Sequence, residues 1–220
     1  MVEISISQVR REIRRNADYI QTMKAMRDFT NTRTPNTADV LWQVEHPPVF
    51  TLGQAGRIDH VLDAGTIPVI RTERGGQVTY HGPGQVVIYV LFDIRRRGIF
   101  VKDMVCRLEQ AMIDTLTGFG IAKAQRKSDA PGVYVPDPTS SASSTGTVAK
   151  IGAIGLKVSR GCTYHGVALN VDMDLSPFRR INPCGYAGLN TVDMATMGSH
   201  TDWLQVADRL CDQIEIHCHV

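Results

Sequence analysis

Apolar residues recur along this chain with two different periods, and the period predicts the element. From Ser7 to Met26 the residues Val9, Ile13, Ala17, Ile20 and Met23 return at helical spacing, with Arg10, Arg11, Arg14 and Arg15 largely between them. This predicts an amphipathic helix with a basic face. Asn31 to Ala38 reads as a loop, and the runs D-V-L-W-Q-V-E and P-V-F-T-L-G after it read as strands, with His46 at the turn between them. Gly53 to Gly65 predicts a loop with one short helix, leading into a strand over Ile67 to Arg71. Val86 to Ile94 is almost unbroken apolar sequence, the mark of a strand covered on both faces. Val101, Val105, Leu108, Met112 and Leu116 make the stripe of a helix, with Cys106 beside it as a structural thiol. A short strand is expected over Val133 to Val135, and a Ser/Thr-rich surface loop over Pro136 to Thr147. Ile151 to Val158 and Thr163 to Met173 read as antiparallel strands joined through Ser159 to Gly161, followed by a helical turn or loop from Leu175 to Ile181. A last helix over Thr201 to Ile216 buries Leu204, Ala207, Leu210, Cys211 and Ile214. Strands adjacent in sequence with a few helices between them predict an α+β fold more than a doubly wound parallel sheet. No repeat and no linker divides the chain, so residues 1–220 are expected to form a single domain.

Composition narrows the function without naming it. A net charge of +2 gives no bulk attraction for nucleic acid, so local clusters matter more. Arg10 to Arg15 and Arg95 to Arg97 are candidate landing sites for an acidic partner. No apolar run approaches a membrane span and the first residues lack a signal-peptide pattern, which predicts a cytoplasmic protein. The cysteines at 106, 162, 184, 211 and 218 form no C-x-x-C pair, and their odd number argues for reduced thiols. His46 has no second ligand at useful spacing, and His217 and His219 around Cys218 read more simply as an unanchored tail than as a chelating column; no metal is expected.

The stretch from Lys150 to Gly185 carries the chemistry. Cys184 lies between Pro183 and Gly185, in a turn where a thiol reaches substrate instead of filling a core. A thiol with a reference pKa of about 8.5 attacks acyl groups as the thiolate and needs a base or cation nearby. Lys150 can serve as either, so the pair points to acyl transfer through an enzyme thioester. Cys162, which begins a strand with no turn residue after it, is the rival nucleophile and is assigned to structure. His81 and His165, each in a Y-H-G context, either orient the pair or fill structural roles. The glycines at 75, 76, 82 and 84 let backbone come close to a ligand, or mark a hairpin with a bulge.

The motifs R-G-G-Q-V-T-Y-H-G-P-G-Q (Arg74 to Gln85), K-I-G-A-I-G (Lys150 to Gly155), G-C-T-Y-H-G-V-A-L-N-V (Gly161 to Val171) and N-P-C-G (Asn182 to Gly185) resemble the lipoyl(octanoyl) transferase family. The resemblance implies a mixed, largely antiparallel sheet flanked by helices, similar to the catalytic domain of biotin protein ligases and lipoate ligases. It implies an octanoyl-acyl carrier protein donor and acceptor lysines on lipoyl domains of 2-oxoacid dehydrogenase E2 subunits and on glycine-cleavage H protein. Cys184 then carries the acyl group and Lys150 acts as general acid and base, with no cofactor and no ATP. By the same match the acyl group lies against Arg74, Gly75, Gly76, Gln77, Val78, Thr79, Tyr80 and His81, against Ala153, Ile154 and Gly155, and against Gly166, Val167 and Ala168. An ATP-dependent lipoate or biotin-type ligase and a non-catalytic module that binds acyl carriers or lipoyl domains are the alternatives.

Overall fold

The structure, a computed structural model, describes residues 9–140, 147–182 and 188–219. Cys184 and part of the Ser/Thr-rich stretch lie outside the described residues. The largest sheet is six-stranded, in the order β1 (Arg10–Arg14), β2 (Val40–Val44), β6 (Gln85–Leu91), β9 (Cys162–Asn170), β8 (Val148–Ser159), β7 (Gly132–Pro136). β1 and β2 run parallel and every other pair in this sheet is antiparallel. A second sheet, β4 (Val69–Arg71), β3 (Val49–Leu52), β5 (Val78–His81), has one parallel and one antiparallel pair. The arrangement is the α+β organisation expected from the strand pattern, with the mixed, largely antiparallel sheet that the resemblance implies.

β6 sits at the centre because its sequence is apolar on both faces. Val86, Ile88 and Val90 pack toward helices α2 (Val101–Gly118) and α3 (Trp203–Cys218), while Val87, Tyr89 and Leu91 pack toward α1 (Tyr19–Thr32). Successive side chains of a strand point to opposite faces, so one strand supplies both cores. On the first face Met104, Leu108 and Met112 of α2 meet Val206, Leu210 and Ile214 of α3, all fully buried. Cys211 and Cys218 lie in this core, where burial pushes their thiols up to about 12 and about 11. They are inert by environment. Cys162 is also buried, as expected of a structural residue, and burial raises its pKa.

The N-terminal helix expected over Ser7 to Met26 is a strand, a turn and a helix instead. Asn16 takes a left-handed conformation (φ 49°), and the Asp18 side chain accepts the backbone N–H of Gln21, starting α1 at Tyr19. Arg10–Arg14 pairs in register with Val40–Val44, so pairing with a distant segment overrides the helical spacing. The hairpin reading of Arg74 to Gln85 also changes: β5 pairs with β3 in the small sheet, while β6 pairs with β2 and β9.

Most of both basic clusters is engaged within the chain, while Arg10 is exposed. Arg11 bonds Asp212 and Glu215, Arg15 bonds Glu45, and Arg14 bonds Glu12 while lying 3.4 Å above the Trp42 ring. The buried Asp39 carboxylate receives Arg33 at 2.5 Å, Arg96 at 2.8 Å and Arg97 at 2.7 Å. Only Arg95 of the second cluster projects into solvent. The C-terminal tail is anchored: Arg107 and Arg97 donate to the carbonyls of His217 and Cys218, and His217 lies 2.6 Å from Asp114. Val101, Leu204 and Cys106, placed on or beside apolar stripes by their spacing, are exposed. No described helix is long and apolar enough to cross a membrane.

Candidate active site

One extra residue in β8 creates the site. Val133 of β7 lies opposite Gly152, but the next residue, Tyr134, lies opposite Lys150, so Ile151 is unmatched in a bulge. Unbroken alternation through this segment would put Lys150 on the face of Gly152. Because the bulge lets Ile151 and Gly152 both face the core beneath α2, Ala149 stays in that core and Lys150 lies on the opposite face. Two contacts confirm the phases: a Cβ on Gly152 would sit 3.0 Å from Met112 Sδ of α2, whereas one on Gly132 would sit 2.8 Å from Lys150 Cε. Gly132 has φ 135°, a conformation that side chains rarely adopt.

Lys150 is 6% exposed, and its ammonium donates to the Pro131 carbonyl at 3.2 Å and lies 5.4 Å from the Tyr134 ring. A buried cation needs such partners to offset lost hydration. Its backbone N–H bonds the Asn190 carbonyl, and its carbonyl accepts Val192 N–H. Chain that follows the undescribed segment around Cys184 is thereby fixed beside Lys150. On the other side of that segment, Asn182 N–H bonds the His60 carbonyl at 2.8 Å.

Lys150 borders a cavity of about 460 Å³, within the range of small-molecule sites. Its walls include Arg74, Gly75, Gly76, Gln77, Val78, Thr79 and His81 on one side, and Ala153, Ile154, Gly155, Gly166, Val167 and Ala168 on the other. These positions, scattered over the sequence, converge because Gly75 N–H bonds the Leu156 carbonyl at 2.9 Å, laying the glycine loop along the free edge of β8. A Cβ on Gly155 would come within 3.0 Å of the Gly75 carbonyl oxygen, so the approach depends on glycine there. Tyr80 is the exception: it packs away from the cavity, among Phe50 and Phe178 in the core of the small sheet. The sequence reading missed Tyr19, Tyr89, Val101, Val105, Leu156 and Phe178, which also line the cavity. Tyr89 is a polar-tipped residue inside an apolar strand, a usable signal; Val101 and Val105 carry none.

Polar residues form part of the wall. Gln85 donates through Nε2 to Asn170 Oδ1 and to the Tyr80 carbonyl, so its Oε1 accepts, and the network assigns the proton to His81 Nδ1, 2.7 Å away. The same logic puts the His46 proton on Nδ1 toward the Ala17 carbonyl at 2.6 Å, leaving Nε2 to accept from Tyr89 Oη at 2.7 Å. His165 has φ 61° and lies 3.4 Å from Thr72 Oγ1. Burial, with Arg74 and His46 adding to it, pushes His81 and His165 down to about 3, and burial lowers His46. All three imidazoles are neutral at physiological pH. The Arg74 side chain is buried and donates to the carbonyls of Thr51, Gln77 and Gly75, tying the glycine loop to β3. The arrangement therefore offers an apolar, glycine-lined slot with Lys150 at its wall, neutral imidazoles, the buried Arg74 held by backbone carbonyls, and the Asp129 carboxylate at its rim.

Comparison with known proteins agrees with this geometry. The family profile of the lipoyl protein ligase A/B catalytic domain matches residues 18–215. An octanoyltransferase of Methylibium petroleiphilum is 56% identical over 209 residues, covering 90% of this chain and 93% of that protein. Another, from Paraburkholderia xenovorans, is 57% identical over 190 residues, covering 86% and 78%. Among solved structures, a putative lipoate protein ligase from T. acidophilum superposes with a TM-score of 0.71 at 15% identity, over 96% of this chain and 85% of that one. A biotin protein ligase from Aquifex aeolicus superposes with a TM-score of 0.54 at 9% identity, over 97% and 69%. At such identities the structures speak for the fold alone, while the sequence relatives speak for descent: the chain belongs to the lipoyl protein ligase A/B catalytic domain family, among its octanoyltransferases.

Proposed function

We propose that this chain, with residues 1–220 acting as one cytoplasmic catalytic unit, moves an octanoyl group from the thioester of octanoyl-acyl carrier protein to a lysine of a lipoyl domain. Acceptors are the lipoyl domains of 2-oxoacid dehydrogenase E2 subunits and glycine-cleavage H protein. Lys150 takes the thiol proton of Cys184, which attacks the donor carbonyl as the thiolate. A carbon–sulfur bond to Cys184 forms, the donor's carbon–sulfur bond breaks, and the Lys150 ammonium returns a proton to the departing sulfur. One thioester replaces another, so this half is nearly balanced. In the second half Lys150 takes a proton from the acceptor ammonium, whose reference pKa is about 10.4, and the freed amine attacks the enzyme thioester. An amide forms, Cys184 leaves as thiolate, and the second proton shed by the acceptor nitrogen passes to solvent. Conversion of thioester to amide sets the direction, and no ATP is consumed.

The observation that carries this reading is the bulge at Ile151, which holds Lys150 against the apolar cavity and hydrogen-bonds its backbone to Asn190, six positions after Cys184. Burying the roughly seven carbons beyond an octanoyl carbonyl contributes on the order of 5 kcal/mol at most, enough for the slot to grade chain length by about tenfold or less per methylene. Incubation with an octanoyl thioester, without ATP, should add the mass of one octanoyl group at Cys184. Adduct on another residue, or none, would sink the proposal.

A further inference from the structure

We propose that the first turn of α2, Phe100 with Val101, Lys102 and Val105, is where an acidic acyl carrier protein sets down to feed its thioester arm into the cavity. The proposal rests on the octanoyl-transfer reading above and adds the surface that reading needs.

Three observations converge on this turn. Phe100 is 79% exposed and Val101 47% exposed, while Val101 and Val105 also line the cavity, so an apolar patch outside is continuous with an apolar wall inside. The second concerns capping. α1 and α3 are capped by the carboxylates of Asp18 and Asp202, but Phe100 occupies the cap position of α2 with no side-chain hydrogen bond. A benzyl group there leaves helix N–H groups uncapped and puts a large apolar surface in water, against both local rules. Departures of that kind concentrate where function selects the residue.

Charge is the third. Arg95, Lys102, Arg126 and Lys127 are exposed on the α2 entry and the neighbouring 126–129 segment, against the exposed carboxylates of Asp103 and Asp129. Glu109 shares Arg126 at 3.3 Å and Asp93 lies 3.9 Å from Arg95, so the exposed cation that the turn itself presents to an acidic partner is Lys102. Arg11, Arg14 and Arg15 near the N-terminus, and Arg96 and Arg97, are already committed to carboxylates within the chain. The donor fits this entry better than the acceptor does. An acyl arm presents its alkyl chain first and meets Phe100 and the valines, whereas an acceptor lysine would bring an ammonium to a cationic, apolar doorway.

The test uses Phe100→Ser and Lys102→Glu, alone and together, in the full chain. Ser suits a helix cap, so the first change does not threaten folding. Acyl-enzyme formation is followed by intact mass with octanoyl-acyl carrier protein and with octanoyl-pantetheine, and the preformed acyl-enzyme is then chased with a lipoyl domain. The double variant should raise the carrier-protein KM at least tenfold, weaken its salt dependence, and leave octanoyl-pantetheine within twofold of the parent. Equal losses with both donors, no loss with either, or a loss confined to the chase would each overturn the proposal, the last by assigning the surface to the acceptor. Failure of the parent protein to acylate with either donor would refute the transfer chemistry itself, a result distinct from all of these.

Discussion

The two faces of the six-stranded sheet follow different rules. Beneath α2 and α3 the face is filled by Met104, Leu108, Met112, Val206, Leu210 and Ile214, with its cysteines raised and silenced by burial. The opposite face is left open over Ala153, Gly155, Gly166 and Ala168, and carries Lys150, Arg74 and buried neutral histidines. One face is built to stay shut, apart from the edge where Val101 and Val105 of α2 reach the cavity. The other accepts polar groups in low dielectric, and a cavity, to make room for a substrate. The contrast predicts that stability and activity are separable by face.

Replacing Lys150 by methionine keeps the stem and removes the amine, and should slow octanoyl transfer by about 10²–10⁴-fold while the melting temperature holds. A melting temperature that drops as the rate does would merge the two faces. Leu210→Ala, on the closed face, should lower stability by about 2–5 kcal/mol in urea denaturation and leave the rate per folded molecule unchanged. Gly132→Ala pushes a Cβ to 2.8 Å from Lys150 Cε and 2.7 Å from the Gly152 carbonyl. That displacement should reduce kcat by about a hundredfold, since a misplacement near 1 Å carries that penalty. Unaltered turnover would show that Lys150 needs no fixed position.

The last contrast is in pH dependence. His81 and His165 stay neutral down to about pH 3 when folded, whereas the unfolded imidazoles bind protons below their ordinary value near 6.5. The unfolded state therefore binds more protons between those limits, and folding stability falls as pH decreases through this window. Each histidine contributes a slope of up to about 1.4 kcal/mol per pH unit. Denaturation midpoints at pH 7 and pH 5 measure it, and equal midpoints would mean that the imidazoles are hydrated.

Local sequence disclosed elements whose partners hardly matter. β6 announces itself as a continuous apolar run, the β8–β9 hairpin turns on Arg160 and Gly161, both with positive φ, and α2 follows its stripe at Leu108, Met112 and Leu116. Features set by distant chain were hidden. Arg10–Arg14 is a strand because Val40–Val44 pairs with it, and Asp39 draws in Arg96 and Arg97 from more than fifty positions away. At the site, the ordered motifs pointed to the cavity walls, yet the motif match takes in Tyr80, which packs in the small-sheet core, and helical spacing gives no sign that Val101 and Val105 reach the cavity. The bulge is marked by nothing in K-I-G-A-I-G except a glycine, because two-against-one pairing is a property of β7 and β8 together.

That unmatched isoleucine makes the pairing of β8, and not only its composition, decide what the cavity contains. A strand that ran through this segment in strict alternation would keep Lys150 in the sequence and still turn its amine into the hydrocarbon beneath α2. Excising Ile151 alone would leave Ala149, Lys150 and Gly152 alternating regularly, with the amine where it is. What separates the open face from the closed one at this edge is thus the point at which alternation is broken.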